Sequence, residues 1–189
     1  MRYGDHETRR QREMLRRRFR PDHVRWLFIG ESPPASGRFF YRGDSGLYRA
    51  MRDAFRTVEP SITDANFLDG FQASGCYLID LCLEPVDHLD SQARRAVCLA
   101  GEVPLSRTIA QLQPQVIASV VRSIEDNLAR AACQAQWHGQ FIRLPYPGRW
   151  SHHRDVFMSL LAENLVLSGT LREDLRYSIA HALDSSRGD

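Results

Sequence analysis

Apolar positions along the chain fall into two kinds of run: short continuous blocks, and longer stretches with an apolar residue every third or fourth position. The blocks at 24–29, 76–82, 115–121 and 141–144 predict buried strands. The periodic stretches predict helices. One covers 45–56 with Leu47, Met51 and Phe55. Another covers 91–112 with Ala93, Val97, Ala100 and Leu105, and Gly101 and Pro104 are expected to break it into two pieces. Ser123 reads as the N-cap of a helix running to 135, and Ser151 as the cap of a last long helix, 152–167, with Val156, Leu160, Leu161 and Leu165 facing the core. Residues 5–20 predict a charged N-terminal helix whose apolar contacts are Met14, Leu15 and Phe19. Pro60 ends the region before it, residues 59–75 read as a long surface loop, and 171–183 as a small C-terminal helix.

Strands that alternate with helices demand right-handed parallel crossovers. The expected fold is therefore α/β, a three-layer α/β/α sandwich around a central parallel sheet of about four strands. The expected organisation is a single domain over 1–189, with a basic helical arm at 1–22 and an extension at 170–189. A length of 189 residues, 43% of them hydrophobic, suffices for one sizeable core. No apolar stretch is long enough for a membrane span, and the polar start of the chain lacks the apolar centre of a signal peptide. A cytoplasmic protein that is a monomer and has no membrane partner is the expectation.

Charge changes this picture only locally. The net charge is +2, too small to announce a polyanion partner, and all 25 basic residues are arginine. Between Arg9 and Arg20, however, stand Arg9, Arg10, Arg12, Arg16, Arg17, Arg18 and Arg20. That cluster suits either a phosphate backbone or a solvated helix face. The four cysteines, Cys76, Cys82, Cys98 and Cys133, contain no C-x-x-C pair, which argues against a zinc ribbon and a dithiol redox site.

Chemistry concentrates at the strand exits. The first strand ends in Gly30-Glu31-Ser32-Pro33-Pro34, where a glycine lets the backbone turn and two prolines stiffen the loop that carries Glu31 and Ser32. Gly37-Arg38-Phe39-Phe40 follows. The second strand carries Tyr77-Leu78-Ile79-Asp80, with one carboxylate in an otherwise apolar block, and the fourth leads into Tyr146-Pro147-Gly148. Open α/β sheets bind ligands at such exits.

Together these segments resemble the successive motifs of the uracil-DNA glycosylase superfamily, most closely its iron-sulfur branch. There the first strand ends in Gly-Glu-Ala-Pro-Gly, a Gly-Arg-Pro-Phe segment follows, the second strand carries Tyr-x-x-Asn, and the fourth leads into a His-Pro-Ser loop. The resemblance spans residues 24–167 through short, degenerate motifs. It implies a DNA glycosylase that hydrolyses the N-glycosidic bond of uracil or a related deaminated base flipped into a pocket, with single- or double-stranded damaged DNA as partner.

By that resemblance Glu31 positions or activates the attacking water, and Phe40, with Phe39 as second candidate, stacks on the base. Ser32 lines the same pocket. Asp80 stands at the position of the base-reading asparagine. An amide offers a donor and an acceptor, whereas an ionised carboxylate only accepts, so this change implies either a protonated Asp80 or an altered base preference. Tyr146 takes the place of the loop histidine, and His152 and His153 at the following helix start are the remaining imidazole donors. Arg38 and Arg149 are candidates for phosphate contact and Trp150 for wedging between base steps. Cys82 and Cys98 resemble the second pair of cluster ligands, but the first pair is missing, so no iron-sulfur cluster, and no metal, is expected.

Two other readings remain. One is a nucleic-acid binder of the same fold that has lost turnover. The other is a serine esterase using Ser32, suggested by Gly30-Glu31-Ser32 but opposed by the lack of any Asp-x-x-His spacing.

Overall fold

The computed structural model describes residues 9–148 and 151–169. In chain order the elements are α1 (Arg9–Arg18), β1 (Trp26–Gly30), α2 (Gly46–Val58), α3 (Phe67–Ala73), β2 (Cys76–Asp80), α4 (Ser91–Leu112), β3 (Val116–Ser119), α5 (Glu125–Gln134), β4 (Gln140–Arg143) and α6 (Ser151–Leu167). Short 3-10 turns at Phe40–Arg42 and Arg122–Ile124 precede α2 and α5. The four strands pair in parallel in the order β2-β1-β3-β4. Helix α2 packs on α6, and α4 on α5. Right-handed crossovers put these pairs on opposite faces of the sheet, which gives the expected three-layer α/β/α sandwich. No helix among the described residues is long and apolar enough to cross a membrane.

The core follows from the strand blocks. Every residue of β1 is buried, and Trp26, Phe28 and Ile29 lie at its centre with Phe55, Phe67, Phe71, Ile117 and Phe157. Strand β2 lies at the edge of the sheet. Its outer rim is covered by Tyr41, whose hydroxyl donates to the Leu78 carbonyl at 3.0 Å and accepts from the Leu78 N–H at 2.7 Å.

Three expectations are corrected. Residues 59–75 are not all surface loop, because α3 folds there and drives Phe67 and Phe71, four residues apart, fully into the core. Helix α4 is continuous. Pro104 and Ala100, whose carbonyl loses its helical partner there, both lie on the exposed face of the helix, and Gly101 is the contact point at which a Cβ would come within 2.6 Å of the Leu81 carbonyl oxygen. Ser123 does not cap α5 but lies inside the 3-10 turn; Glu125 and Asp126 in the first turn supply the negative charge that suits that helix end. The predicted helix 171–183, and with it the extension 170–189, lies outside the described residues.

Candidate active site at the strand exits

The connection from β1 runs to β2 on one side, and the connection from β2 then crosses back to β3 on the other. The chain therefore reverses direction between β1 and β3, and the crevice outside the strand ends at such a reversal is where open sheets bind ligands. Glu31 leaves β1 at that point.

The exit loops of β1 and β2 are zipped side by side. Leu81 and Cys82 donate their N–H groups to the carbonyls of Gly30 and Glu31 at 2.9 and 2.8 Å, Val86 N–H reaches Ser32 Oγ at 3.4 Å, and Ala35 N–H reaches Asp87 Oδ2 at 3.1 Å. Ser32 is thus a tie between loops. Gly37, with φ of 77°, turns the chain in the left-handed region toward Phe39, whose N–H is held by Asp44 Oδ1 at 2.7 Å.

Each of the two carboxylates at these exits is gripped by an arginine. Glu31, largely buried, accepts from Arg94 on α4 through both arms of the guanidinium, Nε to Oε1 at 2.7 Å and a second bond from the terminal nitrogen to Oε2. Asp80 Oδ2 accepts from Arg16 on α1 at 2.9 Å, and both side chains are more than nine-tenths buried. Burial raises the Asp80 carboxyl above the usual aspartate range, against the opposing pull of Arg16 and Arg12. Arg16 also donates to Glu13 at 3.0 Å, and its guanidinium lies 5.6 Å from the centre of the Phe39 ring. The basic helix is therefore docked on the fold through its arginines, with Phe19 stacked on Tyr41.

The other candidates divide. Phe39 is buried beside Arg16, next to Asp80. Phe40 is buried among Tyr41, Tyr48, Phe67 and Phe71, with ring centres 5.1 to 6.2 Å away. Arg38 is exposed on the loop. Tyr146 at the β4 exit is 53% exposed, and His152 and His153 are exposed at the start of α6, their rings 6.1 Å apart. Strand β4 stands two strands from β1, so its exit starts roughly 10 Å from that of Glu31 at the backbone. The structure sets Glu31 and Ser32 on the β1 exit beside the β2 exit that carries Asp80, with Glu31 held from α4 and with Asp80 and Phe39 meeting at Arg16 of α1; Tyr146 lies at the β4 exit and His152 and His153 at the start of α6. Arg149 and Trp150 lie outside the described residues.

Behind Glu31, Cys98 Sγ lies 3.9 Å from Oε1 and 3.7 Å from Cys82 Sγ. Burial pushes the Cys82 thiol up to about 12 and raises that of Cys98, which keeps both protonated at neutral pH. Cys76 starts β2, about 20 Å of extended chain before Cys82, and Cys133 is exposed on α5. A cluster held by four thiolates does not fit this arrangement. Among the described residues no group of three or more His, Cys, Asp or Glu side chains is placed to hold a metal ion.

No protein-family model matches the chain, and no curated protein matches it in sequence.

Arg94 and Arg16 carried no signal in the sequence. Arg94 sits in an ordinary helical stretch 63 residues from Glu31, and Arg16 is one of seven arginines in a run.

Proposed function

We propose that the chain is a DNA glycosylase of the uracil-DNA glycosylase type, hydrolysing the N-glycosidic bond of a deaminated base flipped out of DNA. The observation that carries this reading is the placement of two arginine-held carboxylates on adjacent strand exits, Glu31 on β1 at the reversal point of the sheet and Asp80 on β2 with the Phe39 ring under its Arg16 partner. Glu31 has lone pairs left beyond its two bonds to Arg94, and they orient a water toward the sugar carbon. The water oxygen bonds to that carbon as the carbon–nitrogen bond breaks. The base leaves with the electron pair, the water proton passes to Glu31, and the carboxylate stabilises the positive charge that develops on the sugar. Asp80 faces the edge of the base, and the exposed His152, His153 and Tyr146 supply donors from the far side of the crevice. Arg38, Arg149 and Trp150 serve the DNA strand. DNA is the partner, the reaction needs no cofactor in this reading, and the cytoplasm is the proposed compartment.

The full chain is incubated with oligonucleotides carrying uracil, hypoxanthine or xanthine, single-stranded and duplex, and treated with alkali. Strand cleavage by the parent and its loss in Glu31→Gln are expected. The absence of cleavage on every substrate would sink the proposal.

A second reading, a nucleic-acid binder without turnover, is favoured by the Arg94 grip on Glu31 and by the aromatic rings packed around Phe40. Lesion-dependent binding with no base release would select it.

A further inference from the structure

Among the described residues Arg16 Nε is the one buried side-chain nitrogen or oxygen without a hydrogen-bond partner. The rest of the guanidinium is committed, one terminal nitrogen to Asp80 and the other to Glu13. An ion pair that merely tied α1 to β2 would have no need to strand a donor in a closed site, where an unmet N–H is costly. The stranded donor belongs to a group bonded to Asp80 and set over Phe39, so an acceptor, an aromatic face and a donor meet at one point.

We propose that Arg16 and Asp80 act as one donor–acceptor pair that reads a lactam edge, the neighbouring N–H and C=O of a base such as uracil or hypoxanthine. This rests on the glycosylase reading for the way the base arrives. Asp80 accepts from the ring N–H and Arg16 donates to the adjacent carbonyl oxygen, so two residues on different elements do what a single amide side chain does alone. Deamination converts an amidine edge, as in cytosine and adenine, into this lactam edge, and the pair is therefore matched to deaminated bases. Thymine and guanine share the edge, and their rejection falls to the cost of flipping a properly paired base. Arg16 and Phe39 are nearly closed to solvent, at 6% and 2% exposure, so α1, which carries Arg16, opens to admit the base and closes again so that Arg16 and Asp80 meet its edge.

The test measures binding, by fluorescence anisotropy, of oligonucleotides with one central 2′-fluoroarabino nucleotide, whose glycosidic bond resists cleavage. The base is uracil, N3-methyluracil, cytosine, hypoxanthine or N1-methylhypoxanthine. The parent is expected to bind the uracil and hypoxanthine probes about tenfold or more tighter than the methylated and cytosine probes. Arg16→Gln brings that ratio close to one. Asp80→Asn keeps it, because an amide reads the same edge, and adding Arg16→Gln to Asp80→Asn then changes it little. A structural tie predicts instead that both single variants weaken all probes alike. Parallel loss of this kind, or a ratio unchanged in folded Arg16→Gln, overturns the proposal. The parent's response to methylation needs no variant and decides the matter if Arg16→Gln fails to fold. Base cleavage by the parent without lactam preference sinks this proposal and leaves the glycosylase standing. Lactam preference without cleavage does the reverse.

Discussion

Asp80 and Gly30 stand opposite each other across the β1–β2 pair, and Asp80 Oδ1 lies 2.7 Å from where a Cβ on Gly30 would be. The glycine at the end of β1 is thus required by the carboxylate on β2, not by a left-handed turn. Arg16 holds that carboxylate in place, so it cannot swing aside cheaply. Gly30→Ala is expected to lower stability by about 1–3 kcal/mol through overpacking. In an Asp80→Ala background the same change should cost far less. Urea unfolding of the four proteins gives the coupling directly, and purely additive costs would show that the two residues do not press on each other.

The Arg94 fork makes a second prediction. Glu31 is mostly shielded from water, and removing its partner leaves a carboxylate with little solvent and without the cation that satisfied it. Arg94→Met should destabilise the fold by about 1–3 kcal/mol. Arg94→Lys keeps the charge but loses the paired geometry, and should recover only part of that loss. Under the glycosylase reading both variants lower kcat more than KM, because Arg94 orients Glu31 and touches no base. A fall confined to KM would place Arg94 in DNA binding instead.

The layer order was legible from the sequence because strand blocks and helical periodicity are local patterns, and the four strands came out at nearly their observed positions. What was not legible depended on partners far apart in the chain. Phe67 and Phe71 sit among Asp64, Asn66, Asp69 and Gly70, so the short α3 showed a polar surface and hid its two buried rings. Gly101 looked like a helix breaker, although it is the place where α4 touches Leu81. At the site, Glu31 and Asp80 stood out as acids following apolar blocks. The arginines that fix them are distinguished from the other arginines only by the fold.

Phe39 and Phe40 are separable by experiment. Phe40 packs edge-on and tilted against four aromatic neighbours, and Phe40→Ala should cost about 3–5 kcal/mol, much as Phe71→Ala should. Phe39 lies on the α1 side, under Arg16. Phe39→Leu preserves apolar volume, so its expected effect is weaker binding of lesion-bearing oligonucleotides with a Tm within a few degrees of the parent. If Phe40→Leu weakens lesion binding more than Phe39→Leu does, Phe40 is the stacking ring and must leave its cluster to act.

The clasp between α4 and α5 sets a pH dependence whose sign follows from its charges. Glu102 is buried and accepts from Arg130, through Nε at 3.0 Å and a terminal nitrogen at 2.7 Å, and from Asn127 at 2.6 Å. The Arg130 hydrogen bonds, with help from Asn127 and against the effect of burial, hold the Glu102 carboxyl below the usual glutamate range. A carboxyl depressed in the folded state binds its proton more weakly there than in the unfolded chain, whose value is about 4.3. Its stabilisation is therefore fully present above that value and fades as pH falls through the lower folded one. Glu102→Gln should be less stable than the parent at pH 7, and the gap should narrow below about pH 4. Arg130→Gln should narrow in the same window, since both substitutions remove the same ion pair. Urea unfolding from pH 7 to pH 3 measures the gap, and a gap that stays constant over this range would show that the clasp acts through packing and not through charge.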